Sequence, residues 1–289
     1  MTVAMSGRMV SVVIPTYNRC DRLRVALDAV CAQDVDPLQI IVVDNNSRDS
    51  TAAFVKEYPD PRVEYTLCTR QGIYQALNHG FSKVKGAYLT WTSDDNWYHP
   101  GALREMRDVM ESAGADFVYS DFIKWYESTD LCAVEMAGEP GVLDEGCRIG
   151  PCFLFRRRVY ELLGGHSLRY RWASDYDFWL RVYRAGFRML RMPTPRYTFS
   201  YHDSSASTTE ALPVRAEAAR VRLSHGSYSR VWGRRKNALR PEDSALDVRL
   251  LWTQGYRFDA ASLGLQIFCR RFWSPTLWGL LARGVRRGF

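Results

Sequence analysis

The chain has 289 residues, 46% of them hydrophobic and 25% charged, so it can bury one large core and is neither disordered nor fibrous. Seven cysteines, odd in number and without paired spacing, argue against a disulfide framework or a zinc site and read as small buried residues. No apolar run of about 18 residues and no leader pattern is seen, so a cytosolic chain without a spanning helix is expected.

The formal net charge of +7 is held unevenly. Residues 215–289 carry fifteen Lys and Arg against five Asp and Glu, whereas residues 1–214 carry 24 against 27. A cleft for nucleic acid would spread its arginines over the core, so no nucleic-acid partner is expected and the basic tail reads as a separate surface element.

In chain order, Met9 to Ile14 reads as a buried strand, ended by Pro15 and a loop that brings Tyr17 and Asn18 to the sheet edge. Leu23, Ala26, Leu27, Val30 and Cys31 recur at helical spacing, with Asp21 as a cap. Gln39 to Val43 is a second strand, running into Asp44 and a polar turn from which a helix over about 50–58 starts. Arg62 to Thr66 is a third strand. Ile73, Ala76, Leu77, Gly80, Phe81 and Val84 then form the apolar stripe of a helix lying on a sheet, broken by Gly86. Ala87 to Thr92 reads as a buried strand with Asp94 and Asp95 at its carboxyl end. Strand and helix alternate, which predicts a parallel sheet with right-handed crossovers.

That order has a geometric consequence for the acids. Asp44, Asp94 and Asp95 all follow strands at the carboxyl edge, where open α/β sheets bind ligands, and paired acids there suit a hard cation or sugar hydroxyls. The same residues would also serve as an ordinary polar turn capping the next helix. Neither a GxGxxG nor a GxxxxGK[ST] pattern is present, which disfavours dinucleotides and a P-loop and leaves a metal to hold a diphosphate.

Past the acids the spacing predicts a helix from Pro100, a strand over Asp116 to Asp121, a long loop over 127–149, a strand over Pro151 to Phe155 and a helix over Arg156 to Leu163. Phe178, Val182 and Ala185 mark a helix stopped by Gly186, with Asp175 and Asp177 in its first turn, where acids also suit the helix dipole. Two short strands over 187–201 lead to His202 and a polar, serine-rich loop.

The ordered set VSVVIPTYNR, IIVVDNNSRDST, GIYQALNHG, TSDDNWY, GPCFLFRRRVYELLGGHS and ASDYDFWLRVYRAG resembles the family 2 glycosyltransferases over about residues 9–208. The resemblance implies an α/β GT-A fold, a Rossmann-like, mostly parallel sheet flanked by helices, with a nucleotide-binding half over about 9–120 and an acceptor half over about 121–214. A helical C-terminal region over 215–289 would follow. It also implies an inverting enzyme that uses a nucleotide-diphosphate sugar. On the matching positions, Pro15, Thr16 and Tyr17 would line the nucleoside pocket and Asp44 would contact the base. Gly72 and Asn78 fall in the donor-binding motif. Asp94 would meet the ribose or sugar, Asp95 would bind a divalent metal, Mn²⁺ or Mg²⁺, and His202 would reach the metal or diphosphate. Asp175 would be the catalytic base. Two positions depart from the pattern: Gln75 stands where an acid is common, and Ser174 where many members carry an acid before the base.

The chemistry of the residues agrees. A departing nucleoside diphosphate needs a Lewis acid, and an attacking hydroxyl needs a base on the opposite face. A nucleotidyltransferase and a non-catalytic glycan-binding relative remain as alternatives. In the tail, Leu277, Leu280, Leu281 and Val285 share one side with Trp278 nearby, and Arg283, Arg286 and Arg287 lie elsewhere. That pattern suits either an anionic membrane surface, reached by 263–289 with a glycan or polyprenyl-linked acceptor in the inner leaflet, or a helix packed on protein with Trp252 and Phe268 in its core.

Overall fold

A computed structural model describes residues 7–205, 209, 211–228 and 241–272. They fall into two compact units, one made of the described residues within 1–143 and 147–209 and the other of those within 144–146 and 210–289.

The first unit is organised around a seven-stranded sheet. Its strands are β1 (Val10–Thr16), β2 (Leu38–Asp44), β3 (Val63–Leu67), β4 (Tyr88–Trp91), β6 (Phe117–Ser120), β9 (Phe153–Arg156) and β10 (Met189–Met192), in the order β10-β6-β9-β4-β1-β2-β3. The central runs VSVVIPT and LQIIVVD are buried at every position. Such continuous apolar strands form where helices cover both faces of a parallel sheet. Edge strand β3 is only partly buried, as its mixed VEYTL sequence requires. All pairings are parallel except those of β9, which runs antiparallel to both β4 and β6.

Helices α1 (Cys20–Cys31), α2 (Thr51–Lys56), α3 (Ile73–Phe81), α4 (Ala102–Ala113), α5 (Arg157–Leu163) and α6 (Ser174–Arg184) connect the strands. Leu23, Leu27 and Val30 of α1 and Leu103, Met106 and Met110 of α4 join the sheet residues in one core. Helix α3 lies especially close to the sheet. A Cβ on Gly80 would stand 2.4 Å from Val13 Cγ1 and 2.8 Å from Val43 Cγ2, so only glycine allows this approach. The expected cap at Asp21 is not made: α1 begins after Arg19 without a side-chain capping bond, and Asp21 lies in its first turn.

A second, four-stranded sheet departs from the expectation of one sheet. It runs β5 (Trp97–Tyr98), β11 (Tyr197–Tyr201), β7 (Phe122–Tyr126), β8 (Leu131–Glu135). Strand β8 and a short 3₁₀ turn at Pro140–Asp144 occupy the segment expected as a loop. Four of its five residues, Leu131 to Val134, are exposed, so no alternation of buried and exposed positions marks it as a strand. Antiparallel pairing with β7 holds it, across a turn in which Trp125 Nε1 donates to Asp130 Oδ1 at 2.8 Å.

The second unit contains α7 (Ala211–Ser224), α8 (Pro241–Thr253) and α9 (Arg257–Phe272). Ala219, Tyr228, Leu251, Ala260 and Leu263 form its core, and Asp247 accepts from Arg222 at 2.5 Å and from Tyr228 at 2.6 Å. Trp252, read as a candidate core residue, is 57% exposed. The side chain of Phe268 and the pattern over 273–289 lie outside the described residues.

Candidate active site

The sheet register brings the acids together. Thr16 pairs with Asp44 across β1 and β2, and Val13 pairs with Trp91 across β1 and β4. Three residues beyond that last pair, Thr16 Oγ1 donates to Asp94 Oδ2 at 2.7 Å. Asp94 is 5% exposed, and burial, followed by the neighbouring charge of Asp95, raises its pKa from the usual carboxylate range.

Two cations or potential cations meet this acid pair. Arg19 Nη1 lies 2.9 Å from Asp95 Oδ2 and 3.3 Å from Asp94 Oδ1, and Nη2 donates to the Ser204 carbonyl at 2.7 Å. His202 Nε2 lies 3.0 Å from the same Asp95 Oδ2, and its Nδ1 is 2.9 Å from Ser204 Oγ. The result is a closed ring from Arg19 through Asp95, His202 and Ser204 back to Arg19. His202 reaches the ring because Asn96 Oδ1 accepts from the Ser200 amide at 2.8 Å, fastening the end of β11 to the acid loop. A second link, Arg22 to Glu127 at 3.0 Å through Nη2, ties α1 to the residue that follows β7, and Arg22 holds Glu127 down to a pKa of about 2.

Asp44, 1% exposed, is engaged at both oxygens: Oδ1 accepts from the Ser47 amide at 2.8 Å and Oδ2 from the Tyr65 hydroxyl at 2.9 Å. The adjacent Asn45 accepts from the Gly72 amide at 2.8 Å and donates to the carbonyls of Cys68 and Arg70. Gly72 has φ 130°, a conformation that favours glycine, and the Gln75 side chain folds so closely over it that a Cβ there would fall 2.1 Å from Oε1.

Asp175 lies in the first turn of α6, as the spacing predicts. Its Oδ1 accepts from the Tyr176 amide at 2.7 Å and shares the Tyr74 hydroxyl proton, at 3.3 Å, with the Trp172 carbonyl, which lies 3.1 Å from that hydroxyl. Burial, with the charge of Asp175 added, raises the Tyr74 pKa well above its ordinary value, so that hydroxyl remains a donor. Asp175 and Ser93, the neighbour of Asp94, line one cavity of about 180 Å³ whose other walls are largely aromatic.

Residues 11–164 match the model of glycosyl transferase family 2. The chain belongs to this family. An uncharacterized glycosyltransferase of Rickettsia typhi is 29% identical over 196 residues, covering 61% of this chain and 59% of its own length. The chain thus spans well under two thirds of that relative. A PGL/p-HBAD biosynthesis glycosyltransferase of Mycobacterium bovis is 27% identical over 190 residues, covering 62% of this chain and 71% of its own length. Among solved structures, Staphylococcus aureus TarS 1–349 in complex with UDP-GlcNAc superposes with a TM-score of 0.62 at 15% identity, covering 84% of this chain and 71% of that one. The mannosyltransferase PcManGT of Pyrobaculum calidifontis, in complex with GDP-Man and Mn²⁺, gives 0.58 at 20% identity, covering 96% and 79%. The structural likeness establishes the GT-A fold.

For this family 2 glycosyltransferase, Thr16, Asp94, Asp95 and His202 converge, with Asp44 beside Thr16 in the register and Tyr17 43% exposed on the following loop. Pro15 is buried within β1. Asn78 is committed elsewhere: its amide donates to the His166 carbonyl and accepts from the His166 amide, both at 2.8 Å, which pins α3 to the segment before α6. Ser174 Oγ is buried without a hydrogen-bond partner. Arg19, Asn45, Tyr65 and Tyr74 join the site through contacts between distant segments. The arginine directly after Tyr17-Asn18, next to two expected acids across the sheet edge, was the one available signal.

Proposed function

We propose that the protein moves a sugar from a nucleotide-diphosphate sugar to a hydroxyl of a glycan or lipid-linked acceptor, by a single displacement with inversion assisted by Mn²⁺ or Mg²⁺. The observation that carries this reading is that Asp175 lines one cavity with Ser93, the residue directly before the Asp94 and Asp95 pair. Asp94 and Asp95 follow Ser93 at the sheet edge among cationic groups, and Asp175 stands on α6 among aromatic rings.

The residues fit a divalent ion. Among the described residues no cluster of three or more His, Cys, Asp or Glu side chains forms a ready cage. Mg²⁺-type sites, however, commonly use one or two carboxylates and complete the shell with substrate phosphates and water. Asp95 Oδ2 and His202 Nε2, 3.0 Å apart, supply a carboxylate oxygen and an imidazole nitrogen suited to Mn²⁺ or Mg²⁺. When bound, the metal would supply Lewis-acid stabilisation of the departing diphosphate.

The chain's own groups do the rest. His202 Nε2 faces Asp95 Oδ2 and its Nδ1 lies 2.9 Å from Ser204 Oγ, so the serine would orient the imidazole for a metal held by Nε2. Arg19 neutralises the acid pair and provides a cation beside the diphosphate. Asp175 takes the proton of the acceptor hydroxyl as that oxygen bonds to the anomeric carbon. The bond from that carbon to the diphosphate breaks, and its electron pair leaves on the phosphate oxygen. The Tyr74 hydroxyl and the Tyr176 amide hold Asp175 in place by bonding one of its oxygens.

A thermal-shift panel of UDP, GDP, dTDP and CMP with their sugars, each with Mn²⁺, Mg²⁺ or EDTA, tests the reading. We expect a metal-dependent shift with one nucleotide class, lost in Asp95→Ala and kept in Asp175→Asn. No shift with any nucleotide would overturn the donor assignment, and an equal shift in EDTA would overturn the metal's part. The same reading places the chain on the inner face of the cell membrane through 263–289. Among the described residues no helix is long and apolar enough to cross a membrane. Liposome co-sedimentation of the whole chain and of one stopped at Leu263 checks this, and equal binding would remove it.

A further inference from the structure

We propose that the outer face of the hairpin formed by α8 and α9 docks on an anionic lipid bilayer, with Trp252 and Phe258 entering the headgroup region and Arg249 and Arg257 meeting lipid phosphates. This goes beyond the glycosyl-transfer reading and does not depend on it. Each helix of the hairpin has two faces. Leu251, Ala260 and Leu263 join Ala219 and Tyr228 in the core of the second unit, with Val248 and Ile267 packed against them. Leu246, Arg249 and Trp252, at steps of three on α8, are exposed, as are Phe258, Ala261 and Leu265, at steps of three and four on α9. The solvent stripe of a surface helix is ordinarily polar, yet these two carry a tryptophan, a phenylalanine and two leucines.

The aromatic residues meet at the turn over 254–256. Trp252 is 57% exposed and Phe258 86%. Arg257 Cζ lies 5.7 Å from the centroid of the Trp252 ring, which joins the end of α8 to the start of α9. Charge on this face is of one sign. Residues 215–289 carry fifteen Lys and Arg against five Asp and Glu. Among the described side chains, the acids are already engaged or buried: Asp247 accepts from Arg222 and Tyr228, Asp259 accepts from Arg220 at 2.7 Å, and Glu217 is buried. Arg249 and Arg257 are exposed and give the face its positive charge.

A bilayer surface matches both features. Tryptophan and phenylalanine gain by entering the boundary between headgroups and chains, and arginine keeps its charged head at the phosphates while its stem lies against apolar groups. A second copy matches less well. Across a twofold interface the same patch meets itself, so Arg249 and Arg257 would face the same cations of the other copy.

Vesicle co-sedimentation of the full chain tests the assignment, with phosphatidylcholine vesicles in one arm and phosphatidylcholine mixed with phosphatidylglycerol in the other. We expect binding in the phosphatidylglycerol arm that falls at high salt. It should weaken at least about tenfold in the Trp252→Ala, Phe258→Ala double variant, whose exposed positions leave the thermal midpoint unchanged. That variant retains residues 263–289, so its loss of binding is separate from any contribution of that segment. In the parent, lipids with brominated chains should quench part of the tryptophan emission, and Trp252→Phe should lose a share of that quenching while still binding. Equal binding of the double variant and the parent, binding indifferent to phosphatidylglycerol, or unchanged quenching in Trp252→Phe overturns the proposal. A parent dimer in analytical ultracentrifugation that dissociates in the double variant also overturns it, in favour of a second copy on this face.

Discussion

On one side of the candidate site Asp94, Asp95, Arg19 and His202 are ordered by charge and hydrogen bonds, whereas on the other Asp175 lines a cavity with Trp91, Trp179, Tyr197 and other aromatic residues that are set by ring packing. The first side sits on loops that leave the ends of strands, so its bonds are made by side chains outside the packed core. The second is continuous with the aromatic core, so its shape is set when the fold forms. The difference suggests a division in which the charged side adapts to an ionic ligand and the aromatic side selects by shape.

The largest effect we expect breaks the aromatic side at its one reactive group. Asp175→Asn keeps the side-chain volume and removes the proton acceptor, and loss of a general base commonly costs about 10²–10⁴-fold in rate. We therefore expect sugar transfer to fall about 10³-fold with the nucleotide thermal shift unchanged. A variant that transfers sugar within about tenfold of the parent would show that the proton goes elsewhere.

The two sides were unequally legible in the sequence. Asp94 and Asp95 stood out because two adjacent acids after an apolar strand do not belong to a core, and the alternation of strands and helices placed Asp44 on the same edge. The aromatic cavity left no such mark. Trp91, Phe153 and Trp179 have the spacing and composition of buried residues, and only the antiparallel β9 and the second sheet bring them around a space. Asp175 itself was recovered through its resemblance to a family motif, since an acid in the first turn of a helix is equally expected from the helix dipole. The ring through Arg19 joins residues 19, 95, 202 and 204, contacts that no local pattern encodes.

The next prediction sharpens the claim that ring packing sets the aromatic side. His166 packs between Tyr74 and Phe178 at 5.3 Å from each ring, and burial lowers its pKa from 6.5 to about 4. The folded state therefore resists a proton that the unfolded chain accepts. Stability is complete above about pH 6.5 and falls as pH drops from there toward 4, by roughly 3 kcal/mol in total. Denaturant unfolding of His166→Phe should show that acid loss reduced by most of this amount. An unchanged pH profile would show that other groups carry the acid sensitivity.

A smaller effect bears on the adaptability of the charged side. Arg19 shares Asp95 Oδ2 with His202, so a divalent ion entering without a nucleotide competes with the guanidinium. Arg19→Gln removes that charge while keeping a hydrogen-bonding group near the Ser204 carbonyl. Mn²⁺ affinity without nucleotide, read from the paramagnetic resonance of the free ion, should rise about tenfold, or about 1.4 kcal/mol. Unchanged or weaker binding would mean that Arg19 supports the ion rather than opposing it.

The smallest expected effect asks how far the charged side extends along the sheet edge. Asp44 is held by the Ser47 amide at 2.8 Å and the Tyr65 hydroxyl at 2.9 Å. Tyr65→Phe removes one donor but leaves the backbone bond, so Asp44 keeps its place and a water molecule can take up the vacated lone pair. Nucleotide affinity by calorimetry should weaken about threefold, near 0.6 kcal/mol, which is at the low end for a single hydrogen bond. Unchanged affinity would take Asp44 out of the nucleotide site and confine the charged side to Asp94, Asp95 and their partners. A loss beyond about tenfold would instead make the Tyr65 hydroxyl a direct ligand contact and carry that side onto β3.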